Sequence, residues 1–175
     1  MGKSPFDKVD GATGSINSEY MRAGRYLVYI KRFISKKSRK DANLALFECI
    51  VVEVLDASAA AVEPKGPHIV GNNATFVIDL NKDAGPGALK SALRDILGIP
   101  EEDVTSEVCE RCAGDSQPLA GLFVEFDNRV IKTKEKGLPF TLCRVRRNWK
   151  KIEVESKIPA ERLQALGLDT SRAEA

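Results

Sequence analysis

The sequence predicts a mainly β fold, a five-stranded barrel with a helical insertion between strands 3 and 4. Three observations favour this class. Several stretches alternate apolar and polar residues, as strands with one buried face do. One stretch near the middle of the chain has apolar residues at helical spacing. Connections rich in glycine, proline and polar residues separate these stretches, so each stretch is interpreted as one element.

The first strand is predicted over residues 25–34, where Tyr26, Val28 and Ile30 occupy every second position. We expect these three side chains to face the core. The opposite face then carries Leu27, Tyr29, Lys31 and Phe33. In this interpretation the first strand presents aromatic and basic side chains to solvent.

The second strand is predicted over residues 44–55, after a polar, basic connection at residues 35–43 and before a loop at residues 56–73. A strict two-residue period would place Glu48 on one face of this strand and Glu53 on the other. Because one acid would then point into the core, we expect a β-bulge or a strong bend between the two.

The third strand is predicted over residues 74–80, and a helix follows over residues 88–97. Pro86 suits the first turn of this helix, and Gly98 suits its end. A second, short and acidic helical segment is predicted over residues 100–113. These two segments form the predicted insertion.

The fourth and fifth strands are predicted over residues 122–133 and 139–149, with a glycine-containing hairpin loop at residues 134–138. A short helix is predicted over residues 159–166. The resulting order, β-β-β-α-β-β, is that of the oligonucleotide/oligosaccharide-binding (OB) barrel, in which the helix plugs one end. An open α+β sheet is an alternative with the same order of elements.

Charge is distributed unevenly along the chain, although the net charge is only +2. More than half of the 27 Lys and Arg residues lie in residues 22–40, which contain no acid, and in residues 129–151, which contain one acid, Glu135. Residues 41–128 carry an excess of acids. A basic surface that meets a polyanion is expected from this pattern.

The predicted organisation has three parts. Residues 1–19 are polar and are interpreted as a flexible N-terminal arm. Residues 20–150 form an OB-fold nucleic-acid-binding domain, and residues 151–175 form a C-terminal tail with the short helix.

Membrane and secretory classes are not favoured by the sequence. No apolar run approaches the roughly 20 residues of a spanning helix, and the N-terminus has no apolar signal segment. Four cysteines do not make a disulfide scaffold, and a reducing compartment would keep them as thiols. We therefore expect a cytoplasmic protein with no membrane partner.

Signatures of catalysis are missing from the sequence. His68 is the one histidine, the glycines near Pro86 lack the GK[ST] of a phosphate-binding loop, and no serine elbow occurs. Cys109 and Cys112 form a CxxC, but a zinc site needs a second pair or nearby histidines. We interpret them as two small thiols at a helix end, and expect no enzyme, no metal and no cofactor.

The candidate binding residues are aromatic side chains on the first strand and basic side chains in two segments. Rings can stack on unpaired bases while lysines contact phosphates, and arginines at alternate positions of a strand can track successive phosphates. The predicted nucleic-acid-binding residues are Tyr29, Lys31, Phe33, Lys36, Lys37, Arg39, Lys40, Arg129, Lys132, Lys134, Lys136, Arg144, Arg146 and Trp149. The alternatives are that a tail covers the rings and that the charges solvate a loop or protect a sheet edge.

Several segments resemble phage-encoded single-stranded-DNA-binding proteins of the OB-fold type. They are AGRYLVYIKRF, LALFECIVVEVL, NATFVIDL with the following GALKSALRDILG, and AGLFVEFDNRVIKTKEKGLPFTLCRVRRNW, and the resemblance covers about residues 23–149. It implies a non-catalytic protein of the host-cell cytoplasm that coats single strands in DNA replication and recombination. It also implies Tyr29, Lys31, Phe33 and the two basic loops as the cleft. Residues 150–175 have balanced charge and depart from the acidic tail of many such proteins.

Other functions stay open at this point. An RNA-binding OB module would use the same stacking and phosphate contacts. A structural or adaptor protein could use the basic face to bind an acidic protein partner. Replication or recombination proteins are further partners implied by the resemblance, and homo-oligomerisation is left open.

Overall fold

The computed structural model describes residues 19–132 and 139–173. The strands are β1 (Glu19–Tyr20), β2 (Gly24–Lys37), β3 (Asn43–Asp56), β4 (Asn73–Asp79), β5 (Phe123–Lys132) and β6 (Pro139–Trp149). The helices are α1 (Gly85–Leu97), α2 (Ser106–Ala113), α3 (Lys151–Lys157) and α4 (Ala160–Ala165), with 3-10 helices at Ser58–Val62 and Glu101–Asp103. The mainly β class is confirmed, and the helices α1 and α2 lie between the strands β4 and β5 as predicted.

The six strands form one mixed sheet in the order β1-β4-β3-β2-β5-β6. All neighbours are antiparallel except β1, which pairs in parallel with β4 through Glu19 opposite Ala74 and Tyr20 opposite Thr75. Within the described residues no ladder joins the β6 edge to the β1–β4 edge, so this sheet is open. A closed five-stranded barrel is therefore not confirmed, and the short β1 pairs with part of the outer edge of β4.

The sheet is nevertheless strongly curved. A cavity of about 230 Å³ is lined by Tyr20 and Met21 beside β4 and by Thr141 and Cys143 of β6. The two edges of the sheet thus face each other across a small gap.

A β-bulge in β3 lies where the two acids predict it. The register passes from Leu27 opposite Glu53 to Val28 opposite Val51, which leaves one extra residue in β3. Both Glu48 and Glu53 consequently point away from the inner core, and each makes an ion pair, with Arg32 and Arg162 respectively. The predicted bulge is confirmed.

A second bulge, in β2, overturns the predicted orientation of Phe33. Ile30 is opposite Cys49 and Arg32 is opposite Glu48, so Lys31 is the extra residue. The alternation shifts by one after this point, and the Phe33 side chain, 2% exposed, enters the core. Its ring lies 4.6 Å from that of Phe47. The prediction that Phe33 faces solvent is wrong.

The inner face of the sheet packs against α1 and α2. Tyr26, Val28 and Ile30 are buried there, as predicted. Leu93 and Ile96 of α1 belong to the same core. The helix begins at a crowded position, because a Cβ on Gly85 would lie 2.0 Å from the carbonyl oxygen of Asp79.

The outer face of the sheet is covered in part by the C-terminal helices. Val154, Ile158 and Leu163 pack with Trp149 in a second core that also includes Leu27, Val52 and Phe123. Leu27 is therefore fully buried although it lies on the face predicted to meet solvent. The predicted helix near the C-terminus corresponds to α4, while α3 has only seven residues and was not predicted.

The predicted arm, residues 1–19, lies outside the described residues except for Glu19 in β1. Among the described helices, none has the length and apolar character needed to cross a bilayer.

Candidate nucleic-acid interface

A buried carboxylate organises the outer face of β5. The Glu125 side chain is 2% exposed, and it accepts hydrogen bonds from Arg25 Nε at 2.6 Å and Trp149 Nε1 at 2.9 Å. Burial by itself would raise the pKa of Glu125, but these hydrogen bonds and the charges of Arg25 and Arg147 outweigh it and hold the pKa below its ordinary value. Glu125 is therefore an ionised anchor for the arginines around it.

A bulge in β6 places two consecutive arginines on this outer face. Glu125 is opposite Arg147 and Phe126 is opposite Val145, so Arg146 is the extra residue. Arg146 Nη1 lies 3.4 Å from Asp127 Oδ2, and Arg147 Nη1 donates to Glu153 at 2.9 Å. Strict alternation would place Arg147 on the opposite face from Arg146, and Arg147 is not among the residues predicted from the sequence.

The arginines border an open cleft, here called the arginine cleft. Its volume is about 520 Å³, and its charged lining consists of Arg25, Arg129, Arg146, Asp56 and Asp127. The 3-10 helix Ser58–Val62 forms the opposite wall. Arg129 and Arg146 were predicted from the sequence, whereas Arg25 was not.

A second basic cluster, here called the basic tip, lies at the turn between β2 and β3. It consists of Lys36, Lys37, Arg39 and Lys40, all of them exposed. Ser38 Oγ accepts hydrogen bonds from the backbone N–H groups of Lys40 and Ala42 and so shapes the turn. Asp41 is the single acid of the turn, and it pairs with Lys37 at 3.0 Å. The basic tip thus retains most of its charge.

The structure places the two clusters at opposite ends of β2. Lys37 pairs with Asn43 at one end, whereas Gly24 pairs with Asn128 at the other, next to Arg129. The 14 residues of β2 correspond to roughly 45 Å of extended chain at about 3.3 Å per residue. One ligand that contacts both clusters would have to be long.

Two of the predicted stacking rings are covered. Tyr29 is half-buried, 5.2 Å from the ring of Phe123, and burial raises its pKa. Trp149 is 5% exposed, with the charges of Arg147 and Lys157 over its ring. Trp149, predicted as a binding residue, is thus buried, and Tyr29, predicted to face solvent, is partly covered, because α3 and the residues after it pack over this part of the outer face.

Other aromatic side chains are exposed instead. Tyr20 is 75% exposed and Phe140 is 43% exposed. Phe140 lies opposite Ile131 on the outer face of the β5–β6 hairpin, on the same side as Arg144. The alternation of Phe140 with Thr141 could have indicated an outward-facing ring. Nothing in the sequence favoured Phe140 over the aromatic residues of β2 as a binding residue.

The remaining predicted residues are distributed as follows. Lys31 is exposed, with its Nζ 3.3 Å from Asn73 Oδ1. Lys132 and Arg144 are also exposed. Lys134 and Lys136 lie outside the described residues.

The cysteines are all free thiols, and Cys109 and Cys112 both lie in α2. Burial raises the pKa of each thiol, that of Cys143 to about 12. A protonated thiol is a weak nucleophile and a poor metal ligand. Over residues 19–132 and 139–173 no group of three His, Cys, Asp or Glu side chains is placed to hold a metal ion.

No model of a protein family matches the chain, and no curated protein matches it significantly.

Proposed function

We propose that the protein binds single-stranded DNA with little sequence preference and has no catalytic activity. The observation that carries this proposal is the concentration of exposed guanidinium and ammonium groups in the arginine cleft and the basic tip. Such groups bind phosphates, which carry no sequence information. The setting suggested by the resemblance is DNA replication and recombination in a phage-infected host cell, with proteins of those processes as further partners.

The strand order supports an OB-like barrel as the architecture behind this function. Without β1, the order β4-β3-β2-β5-β6 is the order of an OB barrel, with α1 after the third strand. The cavity between the β6 edge and β4 lies where the last pair of strands would close such a barrel. The proposal is therefore a barrel that remains open at this seam.

Single strands are proposed over duplex because of the exposed ring of Phe140. It shares the outer face of β6 with Arg144, four residues further along. A base stacked on this ring would leave its phosphates within reach of the neighbouring arginines, and such stacking contributes about 1–3 kcal/mol per base. Paired bases in a duplex do not offer this contact.

A binding experiment with four ligands tests the proposal. Fluorescence anisotropy would compare a thymidine homopolymer, a duplex and an RNA of equal length, and polyglutamate as an acidic polypeptide, at several salt concentrations. We expect the single-stranded DNA to bind most tightly. Its log affinity should fall linearly with log salt concentration, and each neutralised phosphate should contribute about 0.7 to that slope. Tighter binding of RNA would favour the RNA-binding alternative, and tighter binding of polyglutamate would favour an adaptor. Equal affinity for duplex and single strand would contradict a role for Phe140.

A further inference from the structure

We propose that the arginine cleft binds one internal phosphodiester group of the strand, and that Asp127 competes with this phosphate for the same guanidinium groups. The inference rests on the proposed function, since it names the part of the strand that the cleft takes. It adds Arg25 to the binding residues, and it implies that Asp127 weakens phosphate binding.

Three guanidinium groups reach the cleft from three different strands. Arg25 comes from the start of β2, Arg129 from the end of β5 and Arg146 from the bulge of β6. Their side chains are 41%, 73% and 50% exposed. The volume of about 520 Å³ lies within the roughly 300–1,000 Å³ of small-ligand sites.

Two of these arginines are only loosely paired. Asp127 Oδ2 lies 3.4 Å from Arg146 Nη1 and 3.6 Å from Arg129 Nη2. Charge-assisted hydrogen bonds usually measure about 2.7–2.9 Å, so one carboxylate oxygen is shared between two donors and satisfies neither. A phosphate offers several acceptor oxygens and can bind both guanidinium groups at short distance.

Arg25 is held more firmly, and its position is therefore fixed in advance. Its Nε and Nη2 both contact Glu125 Oε1, at 2.6 and 2.5 Å. The buried carboxylate thus fixes one edge of the guanidinium, while the side chain remains part of the cleft lining. A binding group that needs no reordering loses less entropy when the ligand arrives.

The charge balance selects the kind of phosphate. The three arginines face two carboxylates, Asp127 and Asp56. A hydrogen bond from Ser58 lowers the pKa of Asp56, so this acid stays ionised. The lining carries one more positive than negative charge, and the buried Glu125 already pairs with Arg25, so the small net charge favours a singly charged internal phosphodiester over a dianionic terminal phosphate. Val62, 69% exposed, borders the cleft as an apolar surface for the adjoining sugar.

The test combines nuclear magnetic resonance with affinity measurements on the full chain. The Nε–H signals of the arginines would be followed during titration with a thymidine dinucleotide, which has one phosphodiester, and separately with inorganic phosphate. The variants are R129Q/R146Q and D127N. The control for D127N is Glu107→Gln, which also removes one negative charge but at an exposed position of α2. Affinity for a thymidine homopolymer would be measured for the same proteins, with a single R129Q variant in case the double variant does not fold.

The expected result is that the dinucleotide shifts the signals of Arg25, Arg129 and Arg146 more than inorganic phosphate does. R129Q/R146Q should lose about tenfold or more in homopolymer affinity, as for a charge-assisted hydrogen bond. D127N should bind a few-fold more tightly than both the wild type and Glu107→Gln, because it removes the carboxylate shared by Arg129 and Arg146, while Arg146 keeps, among the described residues, only its 3.9 Å contact with Glu125.

Three outcomes would overturn the inference, and they differ in what they say of the proposed function. Homopolymer binding that is unchanged in R129Q/R146Q, with unshifted arginine signals, would remove the phosphate site and leave the function standing. Equal gains in D127N and Glu107→Gln would show a general charge effect and no competition. If inorganic phosphate shifts the signals but the homopolymer does not bind, the cleft is a site for free anions and the proposed function fails.

Discussion

The basic tip and the arginine cleft are both rich in cations, but they are built in opposite ways. The basic tip has four cations against the single acid Asp41, and its lysine side chains extend into solvent. In the arginine cleft each arginine lies beside a carboxylate, and the anchor Glu125 is buried. The basic tip therefore offers charge without fixed geometry, whereas the arginine cleft has little net charge and one guanidinium, that of Arg25, held in place by the buried Glu125.

This difference separates two contributions to binding. Loosely held lysines attract a polyanion over long distances and release counterions, so their effect falls with salt. A guanidinium fixed by a buried acid, as that of Arg25 is by Glu125, can recognise the shape of a phosphate, and its effect depends more on position. We expect the basic tip to govern the salt dependence of affinity and the arginine cleft to govern where the strand lies.

The largest expected effect comes from removing the anchor of the cleft. Glu125→Ala leaves Trp149 Nε1 without its acceptor and Arg25 without its buried partner. We expect the free energy of unfolding to fall by about 3 kcal/mol, as for loss of one partner of a buried, hydrogen-bonded charge. Urea denaturation followed by tryptophan fluorescence measures it.

The control for this prediction lies in the basic tip. Lys36→Ala with Lys37→Ala removes two exposed charges and should leave the free energy of unfolding within about 0.5 kcal/mol of wild type. Equal destabilisation by the two sets of substitutions would contradict the distinction between the clusters.

The pH dependence of stability should separate the clusters as well. The pKa of folded Glu125 lies below its ordinary value of 4.5, so its ionised form stabilises the fold fully above pH 4.5. This contribution is lost as the pH falls through the folded pKa. The difference in unfolding free energy between wild type and Glu125→Gln should therefore shrink below pH 4.5 and stay constant above it. Constant separation down to pH 3 would mean that Glu125 does not titrate with a lowered pKa.

Much of the fold follows from the sequence, because the elements are encoded locally. Alternation placed Tyr26, Val28 and Ile30 in the core, and the two acids of β3 located its bulge between Glu48 and Glu53. The helix α1 followed from its apolar spacing and from the glycine after it.

The site was harder to predict, because its geometry depends on bulges and on distant partners. The extra residue Lys31 turns Phe33 inward, and the extra residue Arg146 brings Arg147 outward. Neither bulge leaves a periodic signal in a single strand. Arg25 contacts Glu125 across 100 positions of sequence, and the seven-residue α3 that helps to cover Trp149 is too short to show a pattern.

The next effect concerns the exposed ring of Phe140 on the β5–β6 hairpin. Phe140→Ala should weaken binding of a thymidine homopolymer by about 1–3 kcal/mol through lost stacking, with the slope of log affinity against log salt unchanged. Tyr20→Ala is the matched variant, since Tyr20 is also an exposed ring but lies on β1, across the gap from β6. Anisotropy titrations at several salt concentrations measure both. A larger loss in Tyr20→Ala would move the strand to the β1 edge.

A smaller effect on affinity, with a larger effect on its salt dependence, is expected from the basic tip. Lys36→Ala with Lys37→Ala should flatten the slope of log affinity against log salt by up to about 1.4, twice the value of one phosphate contact on a single strand. The same titrations give this slope. An unchanged slope would show that the basic tip does not contact the strand, and that the cations of the β5–β6 hairpin carry the electrostatic term.

The smallest effect is expected from Asp41→Asn in the basic tip, which is the counterpart of Asp127→Asn in the arginine cleft. Asp41 pairs with Lys37 at 3.0 Å, but both side chains are largely exposed, 81% and 62%. An exposed pair contributes only about 0–1 kcal/mol, and its lysine already reaches solvent, so Asp41→Asn frees little that was held. We expect a slightly steeper salt slope, no measurable change in unfolding free energy and a smaller gain in affinity than Asp127→Asn produces.

Because both substitutions remove one negative charge, any excess gain in Asp127→Asn measures the release of Arg129 and Arg146. Equal gains would mean that the two clusters act through net charge alone, and that the fixed geometry of the arginine cleft does not contribute to binding.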